Sequence, residues 1–212
     1  MKRPIIIIGA GGHARVLIDA LRLLSAEVIG ATDANPLKAG MTISGVPVLG
    51  TDEVVTNYQQ DGVWLVNGLG SVGAPALRTR IFCYFTSLGY SFTSVIHPSA
   101  ILAPDVTFGE GVQVMAGSIL QTGCQVGANS LINTGTSVDH DCCIGTHVHL
   151  APRVTLSGGV QIGDGVHIGT GAVIVQGIKV EKNSIIGAGA VVLKDVAENT
   201  KVWGVPAREV QS

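Results

Sequence analysis

The chain has 212 residues, enough for one large domain or two modest ones, and its formal net charge is −2. This charge gives no reason to expect nucleic acid or an acidic membrane surface as a partner. No apolar run approaches the roughly 18 residues that a membrane span needs, and the first residues lack the layout of a signal peptide. Hydrophobic residues make up 46% of the chain and aromatic residues only 4%, so its core must be built mainly from aliphatic side chains.

Residues 4–24 are predicted to form a strand, a glycine-rich turn and a helix. Four consecutive isoleucines indicate a buried parallel strand, residues 9–14 supply the turn, and the helix is expected over residues 14–24. A second strand is predicted over residues 27–31, and Asp33 follows it. This order is typical of half a Rossmann-like unit, in which a helix N-terminus can hold a phosphate. A tight turn that binds no ligand is the alternative.

The N-terminal pattern continues with a short strand, a capped helix, a third parallel strand, a second glycine-rich turn and a closing helix. These elements are expected at residues 46–50, from 51 onward, 63–66, 67–71 and 78–88. The domain then ends near residue 92 and is too short for two mononucleotide-binding halves, so one nucleotide is a better prediction than NAD. Arg78 and Arg80 either meet a phosphate or lie as solvated cations on the surface.

From residue 96 to residue 192, every sixth residue is apolar. The seventeen positions are Ile96, Leu102, Phe108, Val114, Leu120, Val126, Ile132, Val138, Ile144, Leu150, Leu156, Ile162, Ile168, Ile174, Val180, Ile186 and Val192. Four residues after each one, up to residue 190, stands a small or branched residue. A period of six fits neither a helix nor a plain strand and predicts a hexapeptide β-solenoid, in which three units close one coil. A sandwich of short strands is the alternative, and periodicity does not fix the handedness.

Three further features follow from the phase of this repeat. Residues that tolerate unusual backbone angles recur just after the large apolar position and are expected to form the corners; they are Gly109, Gly127, Asn133, Asp139, Gly145, Gly163, Gly169 and Gly187. Cys124 and Cys142 occupy inward positions one coil apart, which indicates buried thiols in a reducing cytoplasm, with a disulfide as the less favoured alternative. Residues 203–208 are expected to fold back over the last coil as a cap.

Four of the six histidines fall within twenty-eight residues of the solenoid, at positions that the repeat turns outward, where a ligand or a neighbouring subunit can reach them; they are His140, His147, His149 and His167. His140 lies between Asp139 and Asp141, and a carboxylate on one ring nitrogen makes the other nitrogen a better base. Gly158 lies one coil above His140 and can offer a backbone N–H to an oxyanion, an arrangement that suits acyl transfer. An exposed histidine without a catalytic role is the alternative. No metal site is predicted, because Cys142 points inward and the histidines point outward.

Several motifs together resemble one family. They are Ile-Gly-Ala-Gly-Gly-His at residues 8–13, Asp33, His-Pro-Ser-Ala at 97–100, Asn-Thr at 133–134, Asp-His-Asp-Cys at 139–142, Ile-Gly at 144–145, His149 and Gly-Val-Pro-Ala at 204–207. The chain resembles the bacterial sugar acyltransferases of the NeuD/PglD type, which belong to the left-handed β-helix acyltransferases. The resemblance implies an α/β Rossmann-like domain over residues 1–92 and a left-handed parallel β-helix, with its capping tail, over residues 93–212. It also implies a cytoplasmic homotrimer that binds acetyl-CoA between neighbouring solenoids.

The resemblance also implies roles for individual residues. His140 is expected to be the general base and Asp141 the acid that raises its basicity. The acetyl-CoA site is expected to include His149, Gly158, Thr170 and Ala188. The nucleotide-sugar site is expected to include Gly11, Gly12, His13, Asp33, Gly68 and Asn133.

The expected function is N-acetylation of a nucleotide-linked 4-amino-4,6-dideoxy sugar, with acetyl-CoA as co-substrate, for a surface glycan. One alternative is O-acetylation, for example of a sialic acid, which would leave the glycine turn and Asp33 less well explained. A second alternative is a non-catalytic solenoid that only binds a ligand. The residues near Asp33 do not select among UDP, GDP and dTDP.

Overall fold

A computed structural model describes residues 3–71 and 75–210 of the chain. The N-terminal unit consists of β1 (Ile5–Ile8), α1 (Gly12–Leu23), β2 (Val28–Thr32), β3 (Thr42–Ile43), β4 (Val46–Gly50), β5 (Trp64–Asn67) and α2 (Ala76–Ser87). Its five strands form one sheet in the order β3-β4-β2-β1-β5. β1 lies between β2 and β5 and pairs with both in parallel, as the buried run of isoleucines predicts. α1 and α2 pack against opposite faces of this sheet.

Element boundaries in this region differ from the sequence-based expectations. α1 begins two residues earlier than expected, with Gly11 as its N-cap, and α2 begins at Ala76 directly after Pro75. The expected capped helix after residue 51 is a 3₁₀ helix, Asp52–Asn57, and the Thr51 side chain makes no capping hydrogen bond. A hairpin strand, β3, extends the sheet edge and had no sequence signal. Two paired residues bury too little surface to leave a detectable periodicity.

The solenoid consists of two-residue strands that recur every six residues and pair in parallel with strands eighteen residues away, which confirms the predicted hexapeptide coil. One sheet, here called the docked sheet, contains β6 (Val95–Ile96), β9 (Gln113–Val114), β12 (Leu131–Ile132), β15 (His149–Leu150), β18 (His167–Ile168), β21 (Ile185–Ile186), β23 (Lys201–Trp203) and β24 (Arg208–Glu209). The second, the apolar-faced sheet, contains β7 (Ile101–Leu102), β10 (Ile119–Leu120), β13 (Ser137–Val138), β16 (Thr155–Leu156), β19 (Val173–Ile174) and β22 (Val191–Val192). The third, the polar-faced sheet, contains β8 (Thr107–Phe108), β11 (Gln125–Val126), β14 (Cys143–Ile144), β17 (Gln161–Ile162) and β20 (Lys179–Val180).

The second residue of each repeat strand points into the coil, so seventeen large apolar side chains stack along the solenoid axis and form one continuous core. Small inward residues with a hydroxyl or thiol group donate a hydrogen bond to a carbonyl oxygen further along the chain, fifteen residues away for Ser130, whose Oγ donates to Gly145 O at 2.8 Å, and thirteen residues away for Ser184. The thiols of Cys124 and Cys142 follow this pattern, bonding to the carbonyls of Asp139 and Ser157. Both cysteines are free and buried, as predicted. Burial raises the pKa of Cys142 to about 12, so it remains an uncharged thiol.

The corner residues show one error in the sequence interpretation. None of the eight expected corner residues has a positive φ; the left-handed conformation falls two residues later, for example at Gly111 after Gly109 and at Asp141 after Asp139. Four of the expected glycines do share one corner, but glycine is required there for a different reason: the backbone of the next coil approaches too closely for a side chain. A Cβ on Gly127 would lie 2.5 Å from the carbonyl carbon of Gly145, and one on Gly163 would lie 2.6 Å from the Lys182 nitrogen.

The three faces of the solenoid differ in what covers them. The N-terminal sheet and α1 cover the docked sheet, so that Val95, Met115 and Leu131 join the core around α1. The polar-faced sheet shows polar and thiol side chains to the outside. The apolar-faced sheet presents Ile101, whose exposed fraction is 64%, in a row at eighteen-residue spacing in which four of the six outward side chains are aliphatic and Ser137 and Thr155 are polar.

The C-terminal tail packs over the last coil, as predicted. β23 continues the docked sheet beside β21, and β24 folds back on it in an antiparallel pair. Ala207 packs against the solenoid core and its N–H donates to Val191 O at 2.8 Å. Among the residues that the structure describes, no helix is long and apolar enough to cross a membrane.

Candidate active site

His140 lies in the turn between β13 and β14, at the corner between the apolar-faced and polar-faced sheets. Its Nδ1 lies 2.8 Å from Asp141 Oδ2, while its backbone N–H donates to Asp139 Oδ1. A carboxylate only accepts hydrogen bonds, so the proton of the neutral ring lies on Nδ1 and the lone pair lies on Nε2. The two acids therefore have separate tasks: Asp141 orients the ring and Asp139 holds the turn.

Gly158 lies one coil above His140, as the repeat predicts. A Cβ at this position would lie 2.5 Å from His140 Nε2, so any residue other than glycine would displace the imidazole. The Gly159 N–H donates to His140 O at 2.8 Å and keeps the two turns in register. The basic nitrogen of His140 and the backbone of Gly158 therefore border the same small space.

The electrostatics of this corner favour a base. The hydrogen bond to Asp141, together with the charge of Asp139, raises the pKa of His140 above its ordinary value. The side chain remains half exposed, so a substrate can reach Nε2. A neutral imidazole with a raised pKa accepts a proton and can later return it, which is the chemistry of a general acid–base catalyst.

A second site is a cleft of about 640 Å³ between the N-terminal unit and the corner that joins the docked sheet to the apolar-faced sheet. Six of the expected site residues line it: Gly12, His13, Asn133, His149, Thr170 and Ala188. The cleft thus brings together residues that the resemblance divided between a nucleotide-sugar site and an acetyl-CoA site. His140 and Gly158 do not line it, because they occupy a different corner of the solenoid.

His149 and His167 are buried rather than open to solvent, contrary to the expectation that all four solenoid histidines are accessible. Their exposed fractions are 4% and 7%, and Ser71, which follows β5, lies against both rings. Its Oγ lies 2.6 Å from His149 Nδ1 and 3.4 Å from His167 Nδ1. His147 is partly buried against Phe82 of α2.

Asn133 fixes the tautomer of His149. The Thr134 N–H donates to Asn133 Oδ1 at 2.8 Å, so the amide nitrogen of Asn133 is the group that faces His149 Nε2 at 3.3 Å. His149 therefore accepts at Nε2 and donates from Nδ1 to Ser71. Burial, the adjacent His167 and the charge of Arg78 lower the pKa of His149 to about 3.

Arg78 is neither a phosphate ligand in an open site nor a solvated surface cation. Its exposed fraction is 1%, and its guanidinium donates to the carbonyl oxygens of Asn67, Leu69 and Asn129. Burial lowers its pKa to about 9, so it stays charged at neutral pH. Arg78 thereby joins Asn67 and Leu69, at the end of β5, to Asn129 of the solenoid. Periodicity could not predict this role, because it depends on contacts between distant parts of the chain.

His13 also lies at the junction between the two units. Its Nε2 lies 2.8 Å from Oε1 of Gln113, whose amide nitrogen donates to Asn67 O. Burial and the charge of Arg78 lower the pKa of His13 to about 4. Gln113 and Ser71 were missed by the sequence analysis; for Gln113 the available signal was a polar residue at an outward position among apolar neighbours.

The N-terminus of α1 opens into the cleft. The Gly11 N-cap offers no side-chain cap, and the first turn carries no acidic residue. A Cβ on Gly11 or Gly12 would meet nothing within 4 Å, so packing in the chain itself does not require glycine there. Uncapped amides beside open space form a site for an anion.

Asp33 and Gly68 do not line the cleft. Lys38 Nζ lies 2.6 Å from Asp33 Oδ2. Burial acts to raise the pKa of Asp33, but hydrogen bonds from Lys38 and from the Asn35 and Ala10 amides outweigh it and lower the pKa. Gly68 has a packing role, because a Cβ there would lie 2.6 Å from Ile7 Cγ2.

Among residues 3–71 and 75–210, no group of three or more His, Cys, Asp and Glu side chains is arranged to hold a metal ion.

Profiles of known families match both parts of the chain. The PglD N-terminal domain matches residues 4–85, and the bacterial transferase hexapeptide, six repeats, matches residues 159–194. A search of curated proteins gave no match.

Solved structures match over nearly the whole length. A variant of perosamine N-acetyltransferase from Caulobacter crescentus, in complex with CoA and GDP-perosamine, is 37% identical with a TM-score of 0.91, covering 99% of this chain and 97% of that one. The acetyltransferase domain of PglB from Neisseria gonorrhoeae, in complex with acetyl coenzyme A, is 31% identical with a TM-score of 0.90, covering 99% and 100%. WeeI from Acinetobacter baumannii is 25% identical with a TM-score of 0.88, covering 98% and 100%.

An α/β unit docked on a hexapeptide β-helix, with an Asp-oriented histidine over a glycine, defines an acyltransferase of the hexapeptide-repeat class. The similarity over both units narrows the class. The chain belongs to the NeuD/PglD-type family of bacterial sugar acyltransferases.

Proposed function

We propose that this enzyme transfers the acetyl group of acetyl-CoA to the amino group of a nucleotide-linked 4-amino-4,6-dideoxy sugar. The observation that carries the proposal is His140, whose Nε2 is left basic by Asp141 and faces Gly158. The similarity to a perosamine N-acetyltransferase solved with CoA and GDP-perosamine supports the choice of substrate class. In this proposal residues 1–92 hold the nucleotide-sugar and residues 93–212 hold acetyl-CoA.

The working unit in this proposal is a homotrimer. The outer side of the apolar-faced sheet shows four aliphatic side chains, Ile101, Ile119, Val173 and Val191, with the small polar side chains of Ser137 and Thr155 between them. Water solvates the aliphatic members of this row poorly. A three-fold axis facing this sheet would bury the row in all three copies. It would also set the His140 corner of one copy beside the cleft corner of its neighbour.

The levels along the solenoid agree with such a pairing. His140 follows Asn133 by seven residues, less than half a coil, so the two differ in level by roughly 2 Å when one coil rises about 4.8 Å. Rotation about an axis parallel to the solenoid leaves these levels unchanged. His140 of one copy therefore faces the part of its neighbour's cleft that contains Asn133 and His149.

The reaction proceeds through a tetrahedral intermediate in this scheme. The neutral sugar amine attacks the thioester carbonyl carbon, and His140 Nε2 takes the proton that the amine loses. The Gly158 N–H donates to the oxyanion that forms on the carbonyl oxygen. Collapse of the intermediate breaks the carbon–sulfur bond, and protonated His140 gives its proton to the departing CoA thiolate.

The N-terminus of α1 is the proposed anchor for the diphosphate of the nucleotide-sugar. Its uncapped amides and the helix dipole favour an anion, and glycine at positions 11 and 12 lets a phosphate approach the backbone. Asn133 and neutral His149 then lie where the sugar would enter the neighbour's catalytic corner. O-acetylation of a sugar without a nucleotide would leave this anion site without a ligand.

The test is a thiol-release assay with acetyl-CoA and a panel of GDP-, UDP- and dTDP-linked 4-amino-4,6-dideoxy sugars, with free sialic acid as a further acceptor. We expect turnover with at least one nucleotide-linked amino-sugar and a product that survives mild alkali, as an amide does and an ester does not. His140→Ala should lower the rate on the order of a hundredfold or more. His97→Ala, which removes another solenoid histidine outside both sites, is the matched control. Turnover only with sialic acid would favour O-acetylation, and no turnover at all would favour a binding protein.

A further inference from the structure

Trp203 closes the far end of the cleft and has no part in the reaction described above. It belongs to β23 of the capping tail, lines the cleft beside Ala188, and its exposed fraction is 40%. Its indole lies directly against Gly187, where a Cβ would overlap the ring. Trp203 is therefore packed on Gly187 and presents a large aromatic surface to the cleft.

A column of small residues leads from the catalytic level to this indole. Asn133, Ala151, Gly169 and Gly187 follow one another at eighteen-residue spacing along the cleft corner, and Trp203 is the next in register after Gly187. Four coil steps of about 4.8 Å place the indole roughly 19 Å from the level of Asn133. This distance is comparable to the length of an extended pantetheine arm.

We propose that Trp203 is the stacking platform for the adenine ring of CoA. The inference rests on the proposed function, because that function places the thioester at the level of Asn133 and His149. With the reacting end fixed there, a pantetheine arm that follows the small residues delivers its nucleotide end to Trp203. An aromatic side chain binds a base by stacking on its π-face, and Gly187 provides the space that the indole needs.

The base of the nucleotide-sugar is a poorer candidate for this platform. His13, at the N-terminus of α1, contacts Gln113 of β9, and five strand steps of the docked sheet separate β9 from β23. At about 4.8 Å a step, this separation is roughly 24 Å along the solenoid. Asp33, which accepts from the Ala10 amide of the glycine turn, does not line the cleft.

A truncated co-substrate separates this role from a general effect on the enzyme. Acetyl-4′-phosphopantetheine keeps the thioester and the arm but lacks the adenosine portion. We expect Trp203→Leu to raise the KM for acetyl-CoA on the order of tenfold and to leave kcat and the KM for acetyl-4′-phosphopantetheine unchanged. Trp203→Phe should recover part of the loss because it keeps an aromatic face.

Fluorescence gives a second measurement that does not depend on turnover. The chain has two tryptophans, and Trp64 lies under Arg3, away from the cleft. In Trp64→Phe, whose only tryptophan is Trp203, CoA should quench the emission and 4′-phosphopantetheine should not. An equal KM increase for both thioesters, an increase for the nucleotide-sugar instead, or absence of quenching by CoA would overturn the inference. If the sugar panel gave no turnover, the proposed function would fail, while the fluorescence titration would still test whether Trp203 binds the adenine of CoA.

Discussion

The reactivity of His140 depends on which of its two acidic neighbours contacts the ring. The pattern Asp-His-Asp predicts a histidine near carboxylates, and the resemblance implied a role for Asp141, but the pattern alone treats the two acids alike. In the structure, backbone conformation gives the two carboxylates different hydrogen-bond partners. Asp141 has a φ of 61°, which turns its carboxylate back onto Nδ1, while Asp139 bonds the backbone N–H.

Asp141→Asn tests the orienting role with little strain, since asparagine tolerates the left-handed conformation that Asp141 adopts. The carboxylate raises the pKa of His140, so its loss should lower that pKa and move the acidic limb of the pH–rate profile to lower pH. The maximal rate should fall, because the tautomer is no longer held and the base is weaker. A profile of unchanged position would show that Asp141 does not act on His140.

The pKa of His149 is shifted in the direction opposite to that of His140, and this shift predicts how the stability of the protein changes with pH. Its pKa is lowered from 6.5 to about 3 in the folded protein, so the unfolded chain binds a proton first as the pH falls. The stability that neutral His149 contributes is complete above pH 6.5 and is lost between pH 6.5 and 3, by about 1.4 kcal/mol per pH unit.

Urea unfolding of His149→Gln should therefore show a shallower loss of unfolding free energy between pH 6.5 and pH 4 than the parent protein. His140→Gln is the matched control, because His140 has a raised pKa and its removal should not flatten this slope. Equal slopes in His149→Gln and the parent would mean that His149 is not buried as the structure has it.

The burial of His149 also marks the limit of the sequence analysis at the scale of residues. The phase of the repeat correctly predicted that His149 points away from the solenoid core, but it carries no information about which residues pack against the outer surface. The covering group is Ser71, which is 78 residues away in sequence. Arg78 was misjudged for the same reason, since three carbonyl groups that are dispersed along the chain surround its guanidinium.

At the scale of elements, the solenoid could be predicted almost completely. Its period fixes strand positions, the inward and outward side chains and the stacking of residues eighteen apart, including Gly158 over His140. The period does not explain why a corner residue is glycine. Close approach of the next coil and a positive φ both favour glycine, and only coordinates distinguish Gly127 from Gly117.

The α1 N-terminus offers a prediction at this scale. Gly12→Asp adds an anion to the first helical turn, where it should stabilise the helix by about 0.3–1 kcal/mol. The same carboxylate should repel the diphosphate of the nucleotide-sugar and raise its KM, with the KM for acetyl-CoA unchanged. Gly12→Ala adds a Cβ without charge, so the difference between the two variants isolates the effect of the carboxylate. A Gly12→Asp enzyme with an unaltered KM for the nucleotide-sugar would place the diphosphate elsewhere.

At the scale of the whole molecule, one chain carries the two proposed halves of a site at two different corners. His140 and Gly158 border one, and the cleft with His149 and Ala188 lies at the next. The row of aliphatic residues between these corners is the surface that we expect to face the three-fold axis. The central claim is therefore that the base of one copy serves the cleft of its neighbour.

Mixing two inactive variants tests this claim most directly. His140→Ala removes the base, and Ala188→Trp fills the cleft, so each trimer alone should be inactive. Equal co-expression should form mixed trimers in which a chain with an intact base adjoins a chain with an intact cleft. Random assembly then restores about a quarter of the sites. Acetyl transfer near a quarter of the parent rate would support a shared site, whereas a rate no higher than that of the separate variants would show that each site lies within one chain.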